Sequence, residues 1–189
     1  MKKIAVFASG SGSNAQKIIE YFAQKPVAKV EIILTNKKEA YVLERAKNFH
    51  IPSYIFNREQ FYNSDQILEL LAHLQIDLIV LAGFLWLVPQ NLLQHYPNRI
   101  VNIHPALLPK FGGKGMYGER VHEAVVANRE QYSGITIHYI NEHYDEGDII
   151  FQARCKVDPS DSAEDVARKV HALEYEHFPR VIDEVLARF

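Results

Sequence analysis

Short apolar runs rich in β-branched residues alternate with segments whose apolar residues recur every three to four positions, and this alternation narrows the possible folds more than any other feature of the chain. The strand-like runs are Lys3–Ala8, Val30–Thr35, Ser53–Phe56, Leu78–Gly83 and Ile100–His104. Helical patterns fill the intervals over Asn14–Gln24, Lys38–Phe49, Ser64–Gln75 and Pro89–His95. Their buried stripes are Ile18, Ile19 and Phe22, then Val42, Leu43 and Ala46, then Ile67, Leu70, Leu71 and Leu74. Ser64 and Pro89 suit helix starts. Strands separated by helices build a parallel sheet with right-handed crossovers. From Gly134 the pattern changes: Gly134–Ile140 and Asp148–Val157 are strand-like runs joined by the polar loop Asn141–Gly147, which reads as an antiparallel pair added to the sheet. A last helix is expected from Ser162 towards Phe189, broken or kinked at Pro179. The expected fold class is α/β: a three-layer, mostly parallel Rossmann-like sheet with helices on both faces and an antiparallel C-terminal strand pair. With no linker, repeat or low-complexity stretch, residues 1–189 read as a single domain.

Composition removes several classes of function. The chain is 48% hydrophobic and 23% charged, ordinary for a soluble globular protein. Its longest near-continuous apolar run, Leu78–Val88, falls well short of the ~20 residues that cross a bilayer. The start, MKKIAVFASGSGSN, has a basic beginning but too short an apolar run for a secretory signal, and reads as a first strand. A single cysteine, Cys155, allows neither an intramolecular disulfide nor a cysteine metal site, and its place in a strand suits an inert thiol. With 21 basic and 23 acidic residues and no basic block, nothing resembles a nucleic-acid binder. The expectation is a cytoplasmic protein acting on small molecules, without nucleic acid or membrane as partner.

Open sheets of this kind bind ligands beyond the carboxyl ends of their strands. The first strand is followed by Ser9-Gly10-Ser11-Gly12-Ser13-Asn14-Ala15, then a helix. Small residues let a ligand approach the backbone, and a helix start offers unpaired N–H groups and a positive dipole end, a combination that favours phosphate. Gly10, Gly12 and Ala15 fit the G-x-G-x-x-A dinucleotide fingerprint. That fingerprint also needs an acid at the end of the second strand, which here reads Thr35-Asn36-Lys37, with Glu31 at the wrong end. A single phosphate is therefore preferred, the plain alternative being a tight turn with no ligand. Gly112-Gly113-Lys114-Gly115 lacks the Walker spacing.

The strand Ile100–His104 ends in Asn102-Ile103-His104-Pro105, and alternation puts Asn102 and His104 on one face, about 6.6 Å apart. An amide that donates to a developing oxyanion and an imidazole that moves a proton are a competent pair for acyl-type chemistry. From these residues alone, a hydrogen-bonded core histidine beside a turn-forming asparagine is the favoured reading. Asp145, in the loop Tyr144-Asp145-Glu146-Gly147-Asp148, would orient His104 and raise its pKa if the two meet; a solvated turn is the alternative. His171, Glu174 and His177 recur every three residues on the last helix, where a metal is conceivable, although the third member drifts round the helix. Phe84-Leu85-Trp86-Leu87-Val88 is either core or a wall for a flat ligand.

Five segments together resemble a known family: SGSGSN (9–14), VLAGFLWLV (80–88), NIHPALLPKF (102–111), GITIHYI (134–140) and YDEGDIIFQA (144–153). In this order they are similar to the phosphoribosylglycinamide formyltransferases, the folate-dependent glycinamide ribonucleotide transformylases of purine (IMP) biosynthesis. The resemblance implies that Asn102, His104 and Asp145 are catalytic. It implies that Gly12, Ser13 and Asn14 hold the ribonucleotide phosphate, with Glu174 near the glycinamide end. Arg58, Leu85, Trp86, Leu87, Val88, Asn102, Asn141, Tyr144 and Asp145 would line the folate site. Residues 1–100 would form the phosphate-binding half and 101–189 the catalytic and folate-binding half. The stretch Gly112–Arg120 departs from the family's P-G-x-H sequence.

The implied reaction moves the formyl group of 10-formyltetrahydrofolate to the amine of glycinamide ribonucleotide by direct attack through a tetrahedral intermediate, without a metal, in a monomer or homodimer. Two folate enzymes share the Asn-x-His core. A methionyl-tRNA formyltransferase is expected to carry a further basic C-terminal domain, whereas this sequence stops at Phe189 with a formal charge of −2. A formyltetrahydrofolate hydrolase is expected to carry a regulatory segment ahead of the glycine loop. A non-catalytic phosphosugar- or folate-binding module would keep the glycine loop without needing Asn102, His104 and Asp145 together.

Overall fold

A computed structural model describes all 189 residues. The strands are β1 (Lys2–Phe7), β2 (Ala28–Thr35), β3 (Ser53–Ile55), β4 (Leu78–Leu81), β5 (Ile100–His104), β6 (Tyr132–Tyr139) and β7 (Ile149–Lys156). The helices are α1 (Ser13–Gln24), α2 (Val42–Asn48), α3 (Arg58–Tyr62), α4 (Gln66–His73), α5 (Gln90–His95), α6 (Glu119–Ala127) and α7 (Ala163–Leu186). One seven-stranded sheet runs in the order β3-β2-β1-β4-β5-β6-β7. The pairs from β3 to β5 are parallel, while β5–β6 and β6–β7 are antiparallel. The strand order reverses at β1/β4, so their carboxyl ends diverge and leave a crevice.

Alternation along the strands divides the core in two. Ile4, Val6 and Ala8 face α1, α2, α6 and α7, packing with Ile18, Phe22, Val42, Val125 and Phe178. Ala5 and Phe7 face α3, α4 and α5, packing with Phe61, Ile67, Leu71 and Leu92. Both faces of the parallel strands are thus covered, which is why their sequences are continuous apolar runs and not alternating ones.

Two helices were not apparent in the sequence. The helix α3 is short and held by a capping box, in which Asn57 Oδ1 accepts from Gln60 N–H at 2.9 Å and Gln60 Oε1 accepts from Asn57 N–H at 2.8 Å. The helix α6 has Gly118 as its N-cap, whose φ of +55° and lack of a capping side chain give no start signal. The expected break at Pro179 does not occur: α7 runs through it. Proline removes one N–H from the helix ladder, but Phe178, Val181 and Ile182 on the adjoining turns are fully buried and hold them against the sheet. Gln66 replaces Ser64 at the start of α4, with Asp65 as its N-cap. No helix is long and apolar enough to cross a membrane.

The start of α7 rests on a capping box, Ser162 Oγ accepting from Asp165 N–H at 3.2 Å and Asp165 Oδ2 accepting from Ser162 N–H at 2.9 Å. Replacing Ser162 by Ala is expected to lower unfolding stability by about 1 kcal/mol, read from urea titrations. An unchanged midpoint and slope would remove this cap from the forces holding α7.

Candidate active site

A cavity of about 740 Å³ opens at the carboxyl ends of β1, β4 and β5. The glycine loop forms one wall. Ser9 Oγ donates to Asn36 Oδ1 at 2.7 Å and accepts from Leu85 N–H at 3.2 Å, tying the ends of β1, β2 and β4 together. Gly12 has φ +75°, and a Cβ there would stand 2.4 Å from Val42 Cγ2, so glycine is required for α1 to begin against α2. The first backbone bond of α1 runs from Gln16 N–H to the Gly12 carbonyl at 3.0 Å, and its first turn carries no acid. The N–H groups of Ser13, Asn14 and Ala15 therefore have no partner within the helix, an arrangement that receives an anion.

At the centre the structure brings together Asn102, His104 and Asp145. Asn102 and His104 stand at the end of β5, opposite His138 and Thr136 of the antiparallel β6. Asp145 enters from the β6–β7 loop with φ +55°, a conformation uncommon for a non-glycine residue. Its Oδ2 lies 3.4 Å from His104 Nδ1 and accepts from Gly113 N–H at 3.2 Å, while its Oδ1 is 3.6 Å from His138 Nε2. Thr136 Oγ1 donates to the Ala106 carbonyl at 2.7 Å and accepts from Leu108 N–H at 3.0 Å, pinning the chain just after His104.

The electrostatics of His104 differ from the sequence expectation. Its Nε2 is 2.7 Å from the Phe111 carbonyl, which can only accept, so Nε2 carries the proton. Burial pushes the His104 pKa below its ordinary value and outweighs the opposing pull of Asp145 and the Phe111 carbonyl. The Asp145 charge acts to raise this pKa, as the sequence predicts, but desolvation of the ring dominates. The resting ring is thus neutral with Nδ1 bare, consistent with a His104–Asp145 separation longer than a charge-assisted bond. Asp145 is held below the usual carboxylate range: burial opposes this, and His138, His104 and the Gly113 N–H together prevail.

Around this centre the residues divide into two groups. At the glycine-loop end Asn14 Nδ2 donates to the buried Glu174 at 3.0 Å, and Asn14 Oδ1 is buried without a partner. Burial raises the Glu174 pKa. At the other end Leu85, Leu87, Val88, Ile140, Asn141 and Tyr144 line the cavity. Arg58 and Trp86 do not line it. Trp86 turns into an aromatic cluster with Phe56, Phe61, Tyr62 and Phe84, and the Arg58 guanidinium stacks on Trp86 at 4.5 Å. The segment after β4 is irregular, so strand periodicity does not say which of its side chains face the ligand. His171, Glu174 and His177 do not converge on a metal: Glu174 bonds Asn14, whereas His177 packs on Phe151 at 4.9 Å and meets Arg180 at 3.1 Å. His122, a residue not singled out in the sequence, lines the cavity from α6 with its Nδ1 buried and unpartnered.

An amide and an imidazole at a strand end meet a loop carboxylate beside a helix start open to an anion, and the chain matches the formyl transferase family over residues 2–182. It belongs to that family. It is 38% identical to the phosphoribosylglycinamide formyltransferase of Bacillus subtilis, over 98% of this chain and 95% of that protein. It is 41% identical to the chloroplastic phosphoribosylglycinamide formyltransferase of Arabidopsis thaliana, over 97% of this chain but 65% of that longer protein. The crystal structure of phosphoribosylglycinamide formyltransferase from Streptococcus pneumoniae superposes with a TM-score of 0.86 at 38% identity, covering 98% of this chain and 99% of that one.

His122 makes the site costly at low pH. Burial, then the nearby His171 and His104, lower its pKa to about 4. The unfolded chain binds this proton from about pH 6.5 downward and the folded chain does not, so stability falls as pH drops from 6.5 to 4, by up to about 3 kcal/mol. Urea titrations across this range are expected to give a shallower pH dependence for His122→Leu than for the unmodified protein. Equal slopes would exclude His122 as a source of acid sensitivity.

Proposed function

We propose that the protein transfers a formyl group from 10-formyltetrahydrofolate to the amine of 5′-phosphoribosylglycinamide in purine biosynthesis, as a single formyltransferase domain. The observation that carries the reading is the meeting of Asn102, His104 and Asp145 in one cavity, between an anion-ready helix start and an apolar wall. In this reading Gly12, Ser13 and Asn14 hold the phosphate, and Glu174 with Asn14 receives the polar glycinamide ribose portion. Leu85, Leu87, Val88, Asn141 and Tyr144 bound the folate. Residues 1–100 supply the phosphate loop and 101–189 the catalytic groups. One free cysteine and no disulfide suit a reducing, cytoplasmic setting.

The chemistry follows from where protons can sit. The substrate amine attacks the formyl carbon directly, so no side-chain nucleophile is needed. Charge develops on the formyl oxygen, and the Asn102 amide donates to it. The Nε2 proton of His104 is committed to the Phe111 carbonyl. His104 therefore contributes through charge: its bare Nδ1 faces ionised Asp145 at 3.4 Å, and the proton that the attacking nitrogen sheds passes by way of that carboxylate to Nδ1. The resulting imidazolium faces the oxyanion and returns the proton to the departing carrier nitrogen. Holding both substrates side by side supplies the remaining acceleration.

Incubation with 10-formyl folate, with and without glycinamide ribonucleotide, separates the rival readings by folate absorbance. Deformylation only with both present is the expected result. Deformylation without the amine makes the protein a hydrolase, and none in either case makes it a binder. Asn102→Ala and His104→Ala are each expected to lower turnover by ~10²–10³ while the fold survives. Folded variants that turn over like the parent protein would remove both residues from the mechanism.

A further inference from the structure

We propose that His138 is a positioning residue that fixes the orientation of the Asn102 amide, and with it the direction in which Asn102 donates into the cavity; the inference rests on the formyl-transfer reading. His138 is fully buried on β6, directly opposite Asn102 of β5, and does not itself line the cavity.

Its two ring nitrogens have unlike neighbours. Nδ1 is 2.9 Å from the Tyr139 carbonyl, which can only accept, so Nδ1 carries a hydrogen. In the neutral ring Nε2 is then a bare acceptor, and it lies 3.1 Å from the Asn102 side-chain amide. Only the NH₂ end of that amide satisfies it, because the opposite orientation sets the carbonyl oxygen against the Nε2 lone pair. The Asp145 carboxylate, 3.6 Å from the same nitrogen, is beyond hydrogen-bond distance, as expected with no proton between them. One amide hydrogen of Asn102 is thus held by His138. The other has no protein partner, and Asn102 lines the cavity. An amide free to turn over would present its carbonyl oxygen along the direction of that hydrogen, and this oxygen repels a developing alkoxide. The Tyr139 carbonyl sets the tautomer, the tautomer sets the amide, and the amide sets the donor.

The test compares His138→Leu, which removes the acceptor, with His138→Gln, whose side-chain oxygen can reach the place of Nε2. His138→Leu is expected to lower kcat by about 100-fold with both KM values unchanged, and His138→Gln to recover most of that loss. Since His138 acts through Asn102, the double variant Asn102→Ala/His138→Leu is expected to be no slower than Asn102→Ala alone. Nitrogen-15 NMR of histidine-labelled parent protein is expected to show His138 as the Nδ1–H tautomer. Parent-like kcat in folded His138→Leu, multiplied losses in the double variant, or an Nε2–H tautomer would each overturn the proposal. If His138→Leu does not fold, the tautomer and His138→Gln decide. If the parent protein transfers no formyl group, the formyl-transfer reading fails, and the NMR result still tests the tautomer separately.

Discussion

The antiparallel pairing of β5 with β6 is the contact on which the site depends. A parallel sheet alone would end at β5 with Asn102 and His104 facing an open edge. The register of β6 instead brings His138 against Asn102 and Thr136 against His104. The hairpin that follows returns Asp145 to the same place. Gly147 lets the hairpin close, since a Cβ there would stand 1.6 Å from the Tyr139 carbonyl. Strand pairing thus converts residues more than forty positions apart into one cluster, and the backbone supplies the accuracy that loop-borne groups lack.

The cluster is buried enough for desolvation to compete with charge. His104 sits beside a carboxylate yet rests neutral, because removing the ring from water costs more than Asp145 returns. Asp145 stays ionised because its histidine neighbours and the Gly113 N–H outweigh its burial. Both pKa values are pressed down, so the carboxylate is held ionised while the ring binds a proton less readily than a free imidazole.

Much of the fold is legible in the sequence because its strands are buried on both faces, and Ile4–Ala8 or Leu78–Leu81 can hardly be read otherwise. What is not legible has local causes. The helix α6 carries Val121 and Val125 at helical spacing, but it follows a glycine-rich stretch and has no capping side chain. Trp86 lies in an irregular segment where no period assigns a face. Asn102 and His104 are legible as a pair because a strand puts alternate residues on one side, whereas only family resemblance connects them to Asp145. His138 carries a signal of its own: with Thr136 it sets two buried polar residues at alternate positions beside Ile135 and Ile137. The Phe111 carbonyl and the Gly113 N–H leave no trace at all, because backbone groups are identical at every position.

Those two backbone groups belong to one short stretch of chain. The Phe111 oxygen holds the His104 proton, and two residues on the Gly113 nitrogen steadies Asp145. Phe111 adopts φ +56° and Gly113 φ +95°, so neither group faces inward by default of an extended or helical chain. His104 and Asp145 are consequently yoked to a single bend. Any change that straightens it unseats both at once, and the placing of the pair is inherited from the shape of a loop as much as from the identity of the side chains.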